Sequence, residues 1–444
     1  MAEAAENLSS YSQHYGGVRS TSLQEAEATL TVYQLAQSFE CYYDHIRRYS
    51  TAVILSSVFG IRGPEFNDPN IKRLYHVQDQ FTAILETGAT PSIDVFPFLK
   101  HLPDFMSPWR RWARLVRAEQ RQLYFELLQE VKSQRKRGIQ RNCFMSQLLD
   151  EEFRVKHELD EEHIAYIGGV LMEGGSDTTS SILLLFLLAM VKYPKVFRKA
   201  QEEVDCVCGI TGSPTFEQFA QLPYIKHCVF EVGFHYPSLR EHYSLITIFE
   251  GPTLEACRSG RHSSCADPRY MFISYDSNLL LMVVDDEYKG YKFPTGTTFL
   301  ANAWAIYYDP ELYDCPEDFV PERYEANPFG LKPDIKELSD DTRRHMDLAL
   351  VGECVLGPIS LKTLCINIAK ILWAFDIRAG TDPSTGNQLK GEEVNVDIAT
   401  QWTDGFLIAL KPFPIVMLLR SEKHREVLNR ELDEAQKIFQ SYED

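Results

Sequence analysis

Between Gly168 and Leu188 the chain combines residue types that rarely share a helix. Four glycines, Gly168, Gly169, Gly174 and Gly175, sit in an otherwise helical pattern, and Ser176-Asp177-Thr178-Thr179 interrupt its apolar surface. Each interior glycine costs a helix about 1 kcal/mol relative to alanine, so something must offset them. On one reading, glycine lets a flat, bulky group approach the backbone, and Thr178 hydrogen-bonds the Gly174 carbonyl four residues back, opening the helix locally. An acid beside an alcohol there can relay protons to a bound ligand. On the other reading, the glycines mark tight helix crossings and Asp177 caps a broken helix.

Other chemistry-bearing residues are less telling. The ten cysteines contain no C-x-x-C pair, and Cys206 and Cys208 form a lone C-x-C. They read as thiols buried as small apolar groups in a reducing compartment. His157-Glu158 and His163 resemble H-E-x-x-H, but the second His falls too late to share a helix face, so no zinc site is expected. Trp109-Arg110-Arg111-Trp112 reads as a basic helical face with solvated Arg side chains. With 45 basic against 63 acidic residues and a net charge of −18, a nucleic-acid partner is excluded, because phosphate binding needs clustered Lys and Arg.

The elements that position these residues are mostly helical. The 444 residues are 44% apolar and 24% charged, an ordinary globular composition. Spacing predicts helices over Tyr33 to Ser57, Trp112 to Ser133 and Asp160 to Lys192, the last stopped by Tyr193-Pro194. Thr215 and Gln218 form a capping box. Leu361 to Phe375 carries Leu361, Leu364, Cys365, Ile368, Leu372 and Phe375 along one stripe. Strand signal appears late: Tyr291-Lys292-Phe293 and Thr297-Thr298-Phe299-Leu300 flank Pro294-Thr295-Gly296 as a predicted hairpin. The first thirty residues lack apolar period and are expected to fray, whereas 417–444 reads as an amphipathic tail helix. The longest apolar run, Ile182 to Val191, is half of what a membrane span needs, so no anchor is expected and the chain reads as soluble and intracellular. The fold class is mainly α with a small β subdomain.

Gly174-Gly175-Ser176-Asp177-Thr178-Thr179 resembles the [AG]-G-x-[DE]-T-T of the distal helix in cytochrome P450 monooxygenases. Its surroundings match in order: Tyr193-Pro194, Leu222-Pro223-Tyr224-Ile225 leading to Glu231, then Asp285-Asp286-Glu287-Tyr288-Lys289-Gly290, and Phe319-Val320-Pro321-Glu322-Arg323-Tyr324. The likeness is to fungal members of secondary metabolism and covers about 31–416 as one domain, an incomplete P450-like fold. It implies a haem held by a Cys thiolate that favours O–O cleavage. Asp177 and Thr178 would then organise proton delivery, Gly174 and Gly175 would make room over the porphyrin, and Glu231 and Arg323 would belong to the network that supports the haem region. The substrates would be O2 and a small lipophilic molecule. Electrons would come from NADPH through a separate cytochrome P450 reductase, since the chain has no G-x-G-x-x-G. Family members usually reside at the endoplasmic reticulum membrane.

Three features depart from the family pattern. Glu231 is followed by Val232-Gly233-Phe234, so the Arg of Glu-x-x-Arg is missing, and an unpaired buried carboxylate costs about 3 to 5 kcal/mol. Residues 233–284 resemble nothing in the family and read as an insertion or replacement. The haem-thiolate signature F-x-x-G-x-R-x-C-x-G is absent, and Cys354 stands where its Cys should lie. One permitted encoding of Asp347 to Cys365, read two bases on, spells LGFGRRVCPGSHLAKDSL, which carries the G-x-R-x-C-x-G of the signature. This implies that the segment is read out of frame. Two function classes follow: a haem-thiolate monooxygenase, or a catalytically inactive remnant with at most a binding role.

Overall fold

The computed structural model describes residues 17–86, 88–91, 93, 96–139, 141, 143–235, 270–272, 279–282, 285–288, 290–295, 297–300, 308–335, 357–403 and 409–443. Helices follow the order α1 (Gly17–Gln37), α2 (Tyr42–Phe59), α3 (Pro69–Leu85), α4 (Pro108–Lys136), α5 (Phe144–Leu148), α6 (Glu151–Lys156) and α7 (Glu161–Lys192). They continue as α8 (Pro194–Cys208), α9 (Pro223–His235), α10 (Arg323–Ala326), α11 (Gly357–Ala374), α12 (Ile398–Gln401) and α13 (Glu422–Glu443). Strands are β1 (Tyr270–Phe272), β2 (Leu279–Met282), β3 (Asp286–Tyr288), β4 (Tyr291–Phe293), β5 (Thr298–Leu300), β6 (Phe375–Ala379) and β7 (Ile415–Leu419).

The chain clusters into two compact units. Unit 1 holds Met1–Glu40, Ser181–Asn395 and Pro412–Ala435; unit 2 holds Cys41–Ser180, Val396–Lys411 and Gln436–Asp444. In unit 1, α11 packs on α1, α8 and α9, and its stripe Leu364, Cys365, Ile368 and Leu372 is buried. The stripe's last member, Phe375, opens β6 instead of closing the helix, and β6 pairs antiparallel with β7. In unit 2, α2, α3, α4 and α5 pack together around Tyr49, Leu55, Leu74, Tyr124, Leu128 and Met145, all nearly inaccessible. α7 runs through both units.

Several expectations are corrected. Residues 17–30 are not frayed: α1 is helical from Gly17, with Leu23, Ala26, Ala28 and Val32 buried. Its buried face is written in Ala, Thr and Leu, which hides its period. The helix predicted over Tyr33 to Ser57 is two helices, parted by a 3-10 turn at Phe39–Cys41. The predicted hairpin between β4 and β5 is replaced: β3 pairs with β4, Tyr288 opposite Tyr291, while β5 pairs with β2. Gly290 at φ 84° supplies the tight turn before β4. Pro294 cannot donate to a ladder, and Thr297 N–H closes a turn on its carbonyl at 3.0 Å, sending the chain into a different sheet.

The Thr215 and Gln218 capping box is formed, and α7 stops at Lys192 before the Tyr193-Pro194 pair, with Pro194 opening α8. By length and composition α7 can cross a membrane, which the count of uninterrupted apolar residues missed, but 72% of its most apolar stretch is buried in the protein. Residues 236–269 of the atypical segment and 336–356, which include Cys354, lie outside the described residues.

Candidate active site

α7 is helical without a break from Glu161 to Lys192, so Asp177 does not cap a broken helix. The glycines instead admit neighbours. A Cβ on Gly168 would lie 2.6 Å from Met145 Sδ, one on Gly175 would lie 2.7 Å from Ile54 Cδ1, and one on Gly169 would strike the Tyr124 ring. All these neighbours belong to unit 2, so these glycines let α2, α4 and α5 press against α7. Ile54 lies against Gly175 where a Cβ would stand.

Hydroxyls line the same turns. Thr178 donates to the Gly174 carbonyl at 2.9 Å, as its spacing predicts. Ser180 donates to the carbonyls of Ser176 and Asp177 at 3.1 and 3.0 Å. Ser50 of α2 donates to the carbonyl of Gly175 at 3.1 Å and to that of Ser176. These bonds satisfy a polar backbone where four small residues leave it thinly covered.

Asp177 is set up for proton chemistry. Its carboxylate lies 3.8 Å from Arg47 of α2, and its side chain keeps 21% of its surface open. The Arg47 guanidinium rests over the Tyr75 ring, 3.5 Å from the centroid, and Tyr75 is fixed by Thr51, which donates to its hydroxyl at 2.9 Å. Burial pushes the Asp177 carboxyl up to about 6, against the pull of Arg47 and with Asp79 adding to the rise. One turn back, Glu173 is also raised by burial and accepts from Gln120 at 3.1 Å. An acid titrating near neutrality beside an alcohol is the arrangement general acid–base work needs. Neither Arg47 nor Ile54 was legible from spacing, since both meet α7 across more than a hundred residues of chain.

In unit 1 the structure brings Glu231 and Arg323 together. Arg323 Nε donates to Glu231 Oε2 at 2.9 Å, and the two side chains are 5% and 0% exposed. Val320 N–H donates to Oε1 at 2.8 Å. The rest of the guanidinium donates to the carbonyls of Asp314, Cys315 and Asp318 at 2.9 to 3.3 Å. The expected cost of an unpaired Glu231 is therefore avoided. Phe234, standing where the missing Arg would be, places its ring 4.8 Å from the Arg323 guanidinium and packs with Tyr313 and Leu331. Gly330, at φ 70°, leaves room for the Arg323 stem.

Cys354, the expected axial ligand, lies outside the described residues. Among the described cysteines, all free, Cys228 and Cys365 are fully inaccessible and burial raises both thiols, so neither offers a thiolate. No group of three or more His, Cys, Asp or Glu able to hold a metal occurs among the described residues. The acid–alcohol pair fits the proton-handling side of a haem site.

A mostly helical protein with a small antiparallel sheet and a long glycine-notched helix is consistent with the class of haem-thiolate oxygenases. The comparisons with known proteins agree. A cytochrome P450 family model matches residues 21–236 and 281–334, and the chain belongs to that family of haem-dependent monooxygenases. It is 33% identical over 424 residues to cytochrome P450 monooxygenase atE of Aspergillus terreus, covering 95% of this chain and 70% of the relative. Identity to acuD of Aspergillus aculeatus is also 33%, over 95% of this chain and 71% of the relative. With patH of Penicillium expansum it is 32%, over 93% and 70%.

Proposed function

We propose that this chain is a haem-thiolate monooxygenase that inserts one oxygen atom of O2 into a small lipophilic molecule, in a secondary-metabolite pathway like those its fungal resemblance implies. The observation that carries it is Asp177, a carboxyl raised to about 6, next to Thr178, whose hydroxyl already donates to the Gly174 carbonyl. Haem, when bound through Cys354, supplies the oxygen activation. The chain's own share is proton handling. Asp177 holds or releases a proton near neutral pH, and rotation of Thr178 away from Gly174 turns its hydroxyl toward a ligand. Arg47 keeps Asp177 in place and favours its ionised form. Glu231 and Arg323 secure the 314–320 loop. Two electrons come from NADPH through a separate reductase.

The test is a reduced carbon monoxide spectrum of the full chain produced with haem. A red-shifted Soret band that is lost in Cys354→Ser supports the reading. Its absence despite added haem overturns it in favour of an inactive remnant. One observation favours that second reading: Phe234 stands where the network's second arginine is expected. Sequencing the transcript across 233–284 and 347–365 tests whether both segments are translated as written.

A further inference from the structure

Inserting one oxygen atom of O2 into a C–H bond with two electrons takes up two protons and releases one water. Asp177 holds one proton, and the same face of α7 carries a second carboxyl that the acid–alcohol pair does not use. Glu173 stands four residues before Asp177, one turn away on an unbroken helix, where side chains are neighbours.

The partners of Glu173 are polar but uncharged. Gln120 Nε2 of α4 donates to both of its carboxyl oxygens, at 3.1 and 3.4 Å, and the Tyr124 hydroxyl bonds to it as well. Gln120 and Tyr124 are 8% and 1% exposed. From α3, Gln78 donates to the Glu173 carbonyl at 3.3 Å and accepts from Ser176 at 3.3 Å, which fixes the turn that carries both acids. Among the described residues no Lys or Arg pairs with Glu173: Arg47 of α2 is taken by Asp177, and Arg121 of α4 by Glu162 at 2.7 Å. Tyr43 of α2, and Tyr75 and Asp79 of α3, also face this pair of acids, and burial raises all three.

Neutral donors alone do not balance a negative charge, so burial favours the protonated form of Glu173, and the Asp177 carboxylate adds to that preference. Asp177 differs, because Arg47 favours its ionised form. When one proton leaves the pair it therefore leaves Asp177, and Glu173 keeps the other. Interacting acids of this kind titrate as a unit. We propose that Glu173 is the second half of a two-carboxyl proton store, holding the reserve proton that restores Asp177 after that carboxyl has given its own away. The store matches the two protons that oxygen insertion takes up. Its use rests on the monooxygenase reading; its existence rests on the geometry of α4 and α7.

The experiment follows protonated carboxyls by infrared absorption of the full chain as pH rises from about 5 to 8, where ordinary carboxyls are already ionised. Read against E173Q/D177N, the wild type should lose two protonated carboxyls over this range, and E173Q and D177N one each, about half the absorption change. In D177N the remaining step should lie at lower pH than its counterpart in the wild type, because the neighbouring charge is gone. In Q120L the Glu173 step should lie higher, because a donor to its ionised form is gone. E162Q, at an exposed carboxyl of the same helix, should change nothing, and equal circular dichroism melts of wild type and E173Q verify the fold. A wild-type change no larger than that of E173Q overturns the proposal, as does a D177N step that does not move. In chain that shows the red-shifted Soret band, product formation should fall more steeply with rising pH in E173Q than in the wild type, and superposed profiles overturn the proposal. Where that band is missing the monooxygenase reading fails, and the infrared titration alone still decides whether the two carboxyls share their protons.

Discussion

Replacing Arg323 by Met keeps most of the side chain's length and removes its charge. In the wild type, Glu231 is fully inaccessible and accepts from Arg323 and from the Val320 N–H. Arg323→Met takes the cationic partner away from a buried carboxylate. Breaking a buried pair from one side costs about 3 to 5 kcal/mol. The carbonyls of Asp314, Cys315 and Asp318 also lose a donor, but those bonds are solvent-exposed, so water replaces most of their worth. Cys315, held at φ 42°, gains freedom to relax and offsets part of the loss. A net destabilisation of about 3 kcal/mol is expected. The assay is urea unfolding, with the midpoint shift multiplied by the denaturant slope. The double variant E231M/R323M removes both charges and should recover most of the loss, since apolar replacement of a whole buried pair is often neutral. A single-variant cost below about 1 kcal/mol, or a double variant worse than Arg323→Met, would refute the reasoning.

Asp177→Asn tests the raised carboxyl. A folded value of about 6 lies above the unfolded one, so the proton stabilises the folded form; that stability is full below the unfolded value and is lost as pH rises through about 6. The loss is at most about 3 kcal/mol, given 21% residual exposure. Urea midpoints of the wild type should therefore fall between about pH 4 and pH 7 more steeply than those of Asp177→Asn, and parallel profiles would contradict the assignment. Gly169→Val should cost about 3 kcal/mol by driving a branched side chain into Tyr124, which is 1% exposed; pairing it with Tyr124→Leu should restore part of the loss in the same assay.

Local chemistry was legible in the residues and long-range partnership was not. The Thr178 bond to Gly174, the capping box at Thr215 and the stop at Tyr193-Pro194 depend on neighbours within four residues, and the structure contains them all. α1 escaped notice because its inward face relies on distant partners. Gln24, for example, accepts from Thr363 at 2.6 Å across 339 residues. The pairing of β4 was misjudged because a Pro-x-Gly corner and a Gly290 turn both satisfy hairpin chemistry, and only the ladder distinguishes them. At the site, the Thr178 bond to Gly174 was readable from spacing, but Ile54, Arg47 and the placement of Phe234 come from packing that no spacing encodes.

Lys370 on α11 is 3% exposed, donates to Ser213 and pairs with Glu431 of α13 at 3.7 Å, while Thr363 on the same helix holds Gln24 of α1. The early and late parts of the polypeptide thus meet on one rod. The Thr- and Ala-rich face of α1 therefore stays uncovered until residues 357–374 have formed α11.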